Sequence, residues 1–261
     1  MGGGVSSAIS RALGAGDVAR AETLAWHALS IGAIAGFGFS VLFVLFGEHI
    51  FYALGGGGEV LAKAVTYARV ALTAALLIWV VNTLASIVRG TGNMQVPSFA
   101  LLSAALLQIA VGGTLGLGLG PAPKLGIAGV ASGLVVGFSA AAVFLVWYLV
   151  SGRARITLRV RDFNLQQALF VDILKVGAVA CLSPLQSVLT VLIVTRLVSA
   201  YGTEALAGYG IGARLEFLLV PIAFAVGVAC VPMVGMAIGS RNVARAREVA
   251  WTGGFVSAAA L

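Results

Sequence analysis

Six stretches of this chain, each more than twenty residues long, carry almost no Asp, Glu, Lys or Arg: 23–47, 67–88, 95–118, 126–150, 176–199 and 206–238. About 20 mostly apolar residues let an α-helix cross the hydrocarbon core, and a backbone in lipid has to satisfy its own hydrogen bonds, so few folds remain open. Barrel strands of about 9–11 alternating residues do not fit continuous runs of this kind. Shorter apolar segments occupy both ends, 1–13 and 249–261. The expected fold class is an all-α polytopic membrane protein with six complete spans and two partial ones. Composition agrees: 60% of residues are hydrophobic and 10% charged, against about 25% charged in soluble domains. The N-terminus, Met1-Gly2-Gly3-Gly4-Val5, has neither the basic region nor the continuous apolar run of a signal peptide.

Charge sorts the connections by side. Successive spans place successive loops on opposite sides of the bilayer, and short cytoplasmic loops collect Lys and Arg. Odd-numbered connections hold Arg11, Arg20, Arg89, Arg153, Arg155, Arg159, Arg161, Lys175, Arg241, Arg245 and Arg247; even-numbered ones hold Lys63, Lys124 and Arg196. Eleven against three makes the odd side, with 151–175, the expected cytoplasmic face of a cell membrane. The formal net charge of +7 is thereby explained without nucleic acid, for which no basic patch interleaved with aromatics exists.

A repeat lies within this pattern. Residues 12–26 read ALGAGDVARAETLAW and residues 237–251 read AIGSRNVARAREVAW; a shift of 225 aligns eight of fifteen positions, including Arg20 with Arg245 and Trp26 with Trp251. Six spans separate the copies. An even number returns the chain to the same side, so the repeat is parallel, about an axis along the membrane normal. Two six-helix lobes follow, with roughly 430 residues and about twelve helices in all. The Arg-rich segment Ser151–Asp172 suits a cytoplasmic linker between them.

Polar residues inside the spans are the candidate pathway. Glu216 lies roughly 15 Å into its helix at about 1.5 Å per residue, a depth where an ionisable group points to function. Arg214 is two positions away and does not face it, so each needs another partner. Ser183, Ser187 and Thr190, with Gln186 adjacent, form a polar stripe at helical spacing: a cavity wall or helix-to-helix glue. Asn82 and Ser86 share a helix face, with the same two readings. Pro184 and Pro221 interrupt their helices and offer hinge positions. Arg69 reads as snorkelling to the interface and His27 and His49 as interfacial anchors. Gly129, Gly133, Gly137 and Gly112, Gly116, Gly120 form ridges for close packing. Gly55–Gly58 has no following Gly-Lys-Ser/Thr and is no phosphate cradle. No nucleophile with a base, no metal-ligand spacing and no paired cysteine framework is legible; Cys181 and Cys230 sit in apolar runs. An enzyme and a resident cofactor are not expected.

Several motifs together resemble the multidrug and toxic compound extrusion (MATE) transporters: Gly14-Ala15-Gly16-Asp17 with Ala19-Arg20-Ala21; Arg89-Gly90-Thr91-Gly92-Asn93 with Pro97; and Leu125-Gly126-Ile127-Ala128-Gly129-Val130-Ala131. Gly202-Thr203-Glu204-Ala205-Leu206-Ala207, Ala213-Arg214-Leu215-Glu216 with Pro221, and Gly235-Met236-Ala237-Ile238-Gly239 continue the likeness. The resemblance implies twelve helices in two lobes, with this chain entering in the second helix and leaving in the ninth. Residues 1–150 would then be most of the N-terminal lobe, 151–172 the linker and 173–261 the start of the C-terminal lobe. It also implies export of small, amphipathic or cationic molecules by alternating access, coupled to H+ or Na+ influx, by a monomer among membrane lipids. The chain departs from the family at two places. Gln108 and Gly112 stand where many relatives have Asn and Asp in the fifth helix, and Gln186 and Ser187 where one branch has a glutamate in the seventh. A lipid-linked saccharide flippase is the alternative occupant of this architecture; a channel or a purely structural membrane protein is the alternative of another class.

The parallel repeat is directly testable. Membrane-impermeant labels at cysteines replacing Arg20 and Arg245 in the full-length protein are expected to react from the same face; reaction from opposite faces would break the duplication.

Overall fold

The computed structural model of the chain describes residues 2–53, 58–121, 123–158 and 166–260. Its helices are α1 (Gly2–Gly14), α2 (Val18–Ala53), α3 (Gly58–Thr73), α4 (Ala75–Gly90), α5 (Gln95–Leu117), α6 (Ile127–Val150), α7 (Gln167–Ser199), α8 (Thr203–Gly239) and α9 (Val243–Ala260). No strand occurs among the described residues. Val18–Tyr52, Gln95–Leu117, Ile127–Val150, Gln167–Ser199 and Gly208–Gly239 are each long and apolar enough to span a bilayer. Large apolar side chains such as Phe37, Leu45, Ile109, Val143, Val179 and Phe224 stand exposed along them, as a lipid solvent allows. The chain is an all-α, multi-pass membrane protein.

The expected span 67–88 differs from the structure. It is two helices, Leu61–Leu72 and Ala75–Gly90, bent by 47°, although neither Pro nor Gly lies at the break. A helix kinks where a side chain takes over a carbonyl of its ladder, and here the Ser40 hydroxyl of α2 donates to the Leu72 carbonyl at 2.9 Å. The polar group freed by the bend is thus satisfied within the membrane.

The described chain forms two compact units, Met1–Leu24 with Gly90–Gly92 and Gln166–Leu261, and Ala25–Arg89 with Asn93–Leu165. In the second unit, α5 and α6 approach until their backbones touch. A Cβ on Gly133 would lie 2.6 Å from the Gln108 carbonyl and overlap the Gly112 nitrogen; one on Gly137 would overlap the Ala104 carbonyl. Helices in lipid gain little from the hydrophobic effect and associate by such close packing. The expected ridges are real at Gly112, Gly116, Gly129, Gly133 and Gly137. Gly120 is not part of one: α5 ends at Leu117 and Gly120 is a turn residue with φ +66° and open space around it. His27 is also not an interfacial anchor, being fully buried. Gly55–Gly57 lie outside the described residues.

In the first unit, α1 packs on α7 and α8, and α8 on α9. The chain leaves α1 and α8 by the same turn. Ala15, Gly16 and Asp17 N–H groups donate to Arg11, Leu13 and Ala12, each at 3.0 Å; Ser240, Arg241 and Asn242 donate to Met236, Ile238 and Ala237 at 3.0, 3.0 and 2.8 Å. This is the Schellman pattern of a helix C-terminus, with its left-handed residue at Gly16 (φ +79°) and Arg241 (φ +60°). Asp17 and Asn242 then cap the next helix, each accepting at 2.9 Å from Arg20 and Arg245 N–H groups. Every pair of positions is related by the 225-residue shift found in the sequence.

Arg241 alone among the described non-glycine residues has positive φ, a conformation that costs an L-residue about 1–2 kcal/mol. Arg241→Gly is expected to stabilise the full-length protein by about 1 kcal/mol and Gly16→Arg to destabilise it by a similar amount, measured as opposite shifts of the thermal unfolding midpoint in detergent.

Candidate functional site

The expected pathway residues fall in both units. Asn82 is on α4, exposed, its amide donating to its own helix at Ile78 (2.9 Å). Ser86, one turn on, is buried and donates to the Asn82 carbonyl at 2.7 Å. Gln108 is half-buried on α5 and borders an open groove of about 490 Å3 with Gly112, Gly113 and Gly116 of α5 and Ile127 and Val130 of α6. Among its lining side chains the Gln108 amide is the polar group. A small cavity of about 230 Å3 gathers Glu48 and His49 of α2 and Arg69 of α3.

Gln186, Ser187 and Thr190 lie on α7 and Arg214 on α8, all exposed. Ser183, Pro184 and Glu216 occupy described helical backbone, but their side chains lie outside the described residues. Pro221 does not break its helix: α8 runs unbroken through it and through Pro232, a buried proline that sequence reading did not single out. Among the described residues no group of three His, Cys, Asp or Glu is placed to hold a metal.

The best-organised polar cluster was missed in the sequence. The Asp172 carboxylate, in the second turn of α7, accepts from Arg11 of α1 at 2.6 Å and pairs with Arg20 of α2 at 3.5 Å. Arg11 also donates to the Ser7 hydroxyl at 3.2 Å, and Ser10 donates to the Ser7 carbonyl at 3.0 Å. In the sequence Arg11 registered as positive charge on one side, Arg20 as that and as a matched position of the repeat, and Asp172 as the end of a linker, because nothing in one dimension brings residue 172 beside residue 11. Beside the cluster opens a cavity of about 530 Å3, lined by Ser7 and Arg11 of α1, Val176 and Ala180 of α7, Cys230 of α8 and Gly253 of α9.

Local physics also explains the quoted motifs. Gly90 lies where a Cβ would come 2.9 Å from Ile9 Cβ, Gly92 has φ +89°, and the Asn93 carboxamide oxygen caps α5 by accepting from Gln95 and Val96 N–H groups at 3.0 and 3.1 Å. The Asn93 amide donates to the Tyr148 hydroxyl at 3.1 Å, and the Arg153 guanidinium sits 4.5 Å from the Trp147 ring centre.

These features define a multi-pass, all-α membrane protein with an internal repeat of 225 residues. The MatE family model matches residues 1–113 and 180–260, and the chain belongs to that family. It is 26% identical over 253 residues to the probable multidrug resistance protein YoeA of Bacillus subtilis, covering 95% of this chain and 54% of that protein. It is 23% identical over 248 residues to a protein of Shewanella oneidensis described as an FAD transporter, covering 95% of this chain and 55% of that one. A crystal structure of a MATE protein in the bent conformation superposes with a TM-score of 0.89 at 26% identity, over 97% of this chain and 56% of the other. The chain spans about half the length of the curated relatives it matches.

Proposed function

We propose that the protein is a secondary active exporter of small amphipathic or cationic molecules, working by alternating access and coupled to inward H+ or Na+ flow. The observation that carries this reading is the parallel repeat: the same helix-ending turn, cap and basic residue recur 225 positions apart, as two lobes sharing a cleft require. Residues 1–150 and 173–261 would belong to the N- and C-terminal lobes of about twelve helices, joined by a linker at 151–172, with the arginine-rich loops cytoplasmic and the protein acting as a monomer. The similarity to a multidrug resistance protein supports drug-like cargo. The similarity to a protein described as an FAD transporter supports a second reading, export of an anionic dinucleotide.

A ligand or ion moves a conformational equilibrium only through unequal affinity for the two states, so coupling needs an ionisable group inside the membrane. Glu216 is our choice, with Arg214 setting its electrostatics and Gln186, Ser187, Thr190, Ser183, Asn82 and Gln108 offering neutral hydrogen bonds to cargo. Reconstituted full-length protein is expected to export a cationic dye under an imposed proton or sodium gradient, and Glu216→Gln to slow that coupled efflux at least about tenfold. Undiminished coupled efflux in the variant removes Glu216 from the mechanism. Flux without any gradient would identify a channel, and movement of lipid-linked sugar alone a flippase.

A further inference from the structure

The crossing of α1 and α8 is reciprocal. A Cβ on Gly14 would overlap the Met236 carbonyl, and one on Gly239 would overlap the Arg11 carbonyl; the 225-residue shift carries Gly14 onto Gly239 and Arg11 onto Met236. Gly235 packs against the Ser10 side chain, and the same shift carries Ser10 onto Gly235 itself. A contact between a residue and its own repeat mate lies on the symmetry axis, as in an isologous interface. The two repeats therefore meet at Ser10 and Gly235, on the arginine-rich side, with no side chain between the backbones at Gly14 and Gly239.

Arg20 pairs with Asp172 of α7, and its repeat mate Arg245 pairs with Glu248 on its own helix, at 2.9 Å. Arg11 grips Asp172 with its side chain and meets Gly239 with its carbonyl, so one residue joins the crossing to the ion cluster. Lifting α7 and α8 away from α1 would break both together. Asp172 is about a third exposed and Arg11 slightly less. A pair so placed is screened enough to open in each cycle, yet close enough to bias an equilibrium.

We propose that Asp172, clasping Arg11 and Arg20 beside the glycine-lined crossing of α1 and α8, is the gate that holds the transporter closed on its arginine-rich side. The proposal rests on the two-lobed alternating-access reading above. Asp172 is a positioning residue: it touches no cargo, and it sets how often the crossing opens.

The test uses full-length protein in inside-out vesicles that expose the arginine-rich side, with Cys181→Ala and Cys230→Ala removing the native thiols of this chain. Ser10→Cys places a single thiol at the axis, where the parent side chain is fully buried. A membrane-impermeant maleimide is expected to label it slowly, about tenfold faster when Asp172→Asn is added, and slowly again with Asp172→Glu. Ala12→Cys, also at a buried position, gives a second reporter should Ser10→Cys fail to reach the membrane. Equal labelling rates with Asp172, Asn and Glu would overturn the gate. Labelling needs no cargo, so a gated thiol in a protein that exports no dye would leave the gate standing and remove the exporter reading. Dye export with ungated labelling would do the reverse.

Discussion

Everything in the first unit depends on how closely two helix backbones can approach in lipid. Apolar side chains are as well solvated by acyl chains as by each other, so association has to come from van der Waals contact and hydrogen bonding at short range. Gly14, Gly235 and Gly239 supply that range by removing Cβ atoms where α1 meets α8. The α5–α6 pair of the second unit uses the same device at Gly112, Gly129, Gly133 and Gly137. What differs is the polar surround. Neither α5 nor α6 carries a charged residue, whereas the α1–α8 seam is edged by Arg11, Arg20 and Asp172. A dry seam without charges has one favoured arrangement, while a seam edged by ion pairs has a contact that water can replace.

Much of this was legible in one dimension, for reasons that are physical. A span announces itself because lipid excludes charge over a length set by the bilayer, and five expected spans have counterparts among the long apolar helices. The repeat was legible because the residues matched are those that a special backbone demands: Gly at the end of a helix, Asp or Asn at the next cap. The bend at Thr73–Ala74 was not legible, since its cause is a hydroxyl on Ser40, more than thirty residues away in sequence. Nor was the left-handed Arg241, which takes its conformation from its repeat position and against its own preference. Helix periodicity placed Ser187 and Thr190 on one face of α7 but was silent on whether another helix covers that face; both are exposed.

The basic residues show how a topological reading can hide structure. Positive-inside bias treats Lys and Arg as interchangeable markers of a side. In the folded chain they have individual tasks: Arg89 donates to the Ala85 carbonyl at 3.2 Å, Arg153 stacks on Trp147, Arg245 pairs along its helix and Arg11 across to α7. An arginine that serves both as a topological charge and as a partner for a distant carboxylate gives no sign of the second task in a tally of loops. Asp172 was the available clue, an acid in a segment otherwise dominated by arginine.

Duplication gives two halves the same backbone where α1 and α8 end. The turn after α1 and the turn after α8 share their hydrogen bonds to within a few tenths of an ångström, so neither half is favoured by the turn itself. The ion pairs of Arg11 and Arg20 run from that shared backbone across to Asp172 of α7, so the crossing answers to the helix that follows the inter-repeat connection. The gate then stands beside an interface that the repeat made possible.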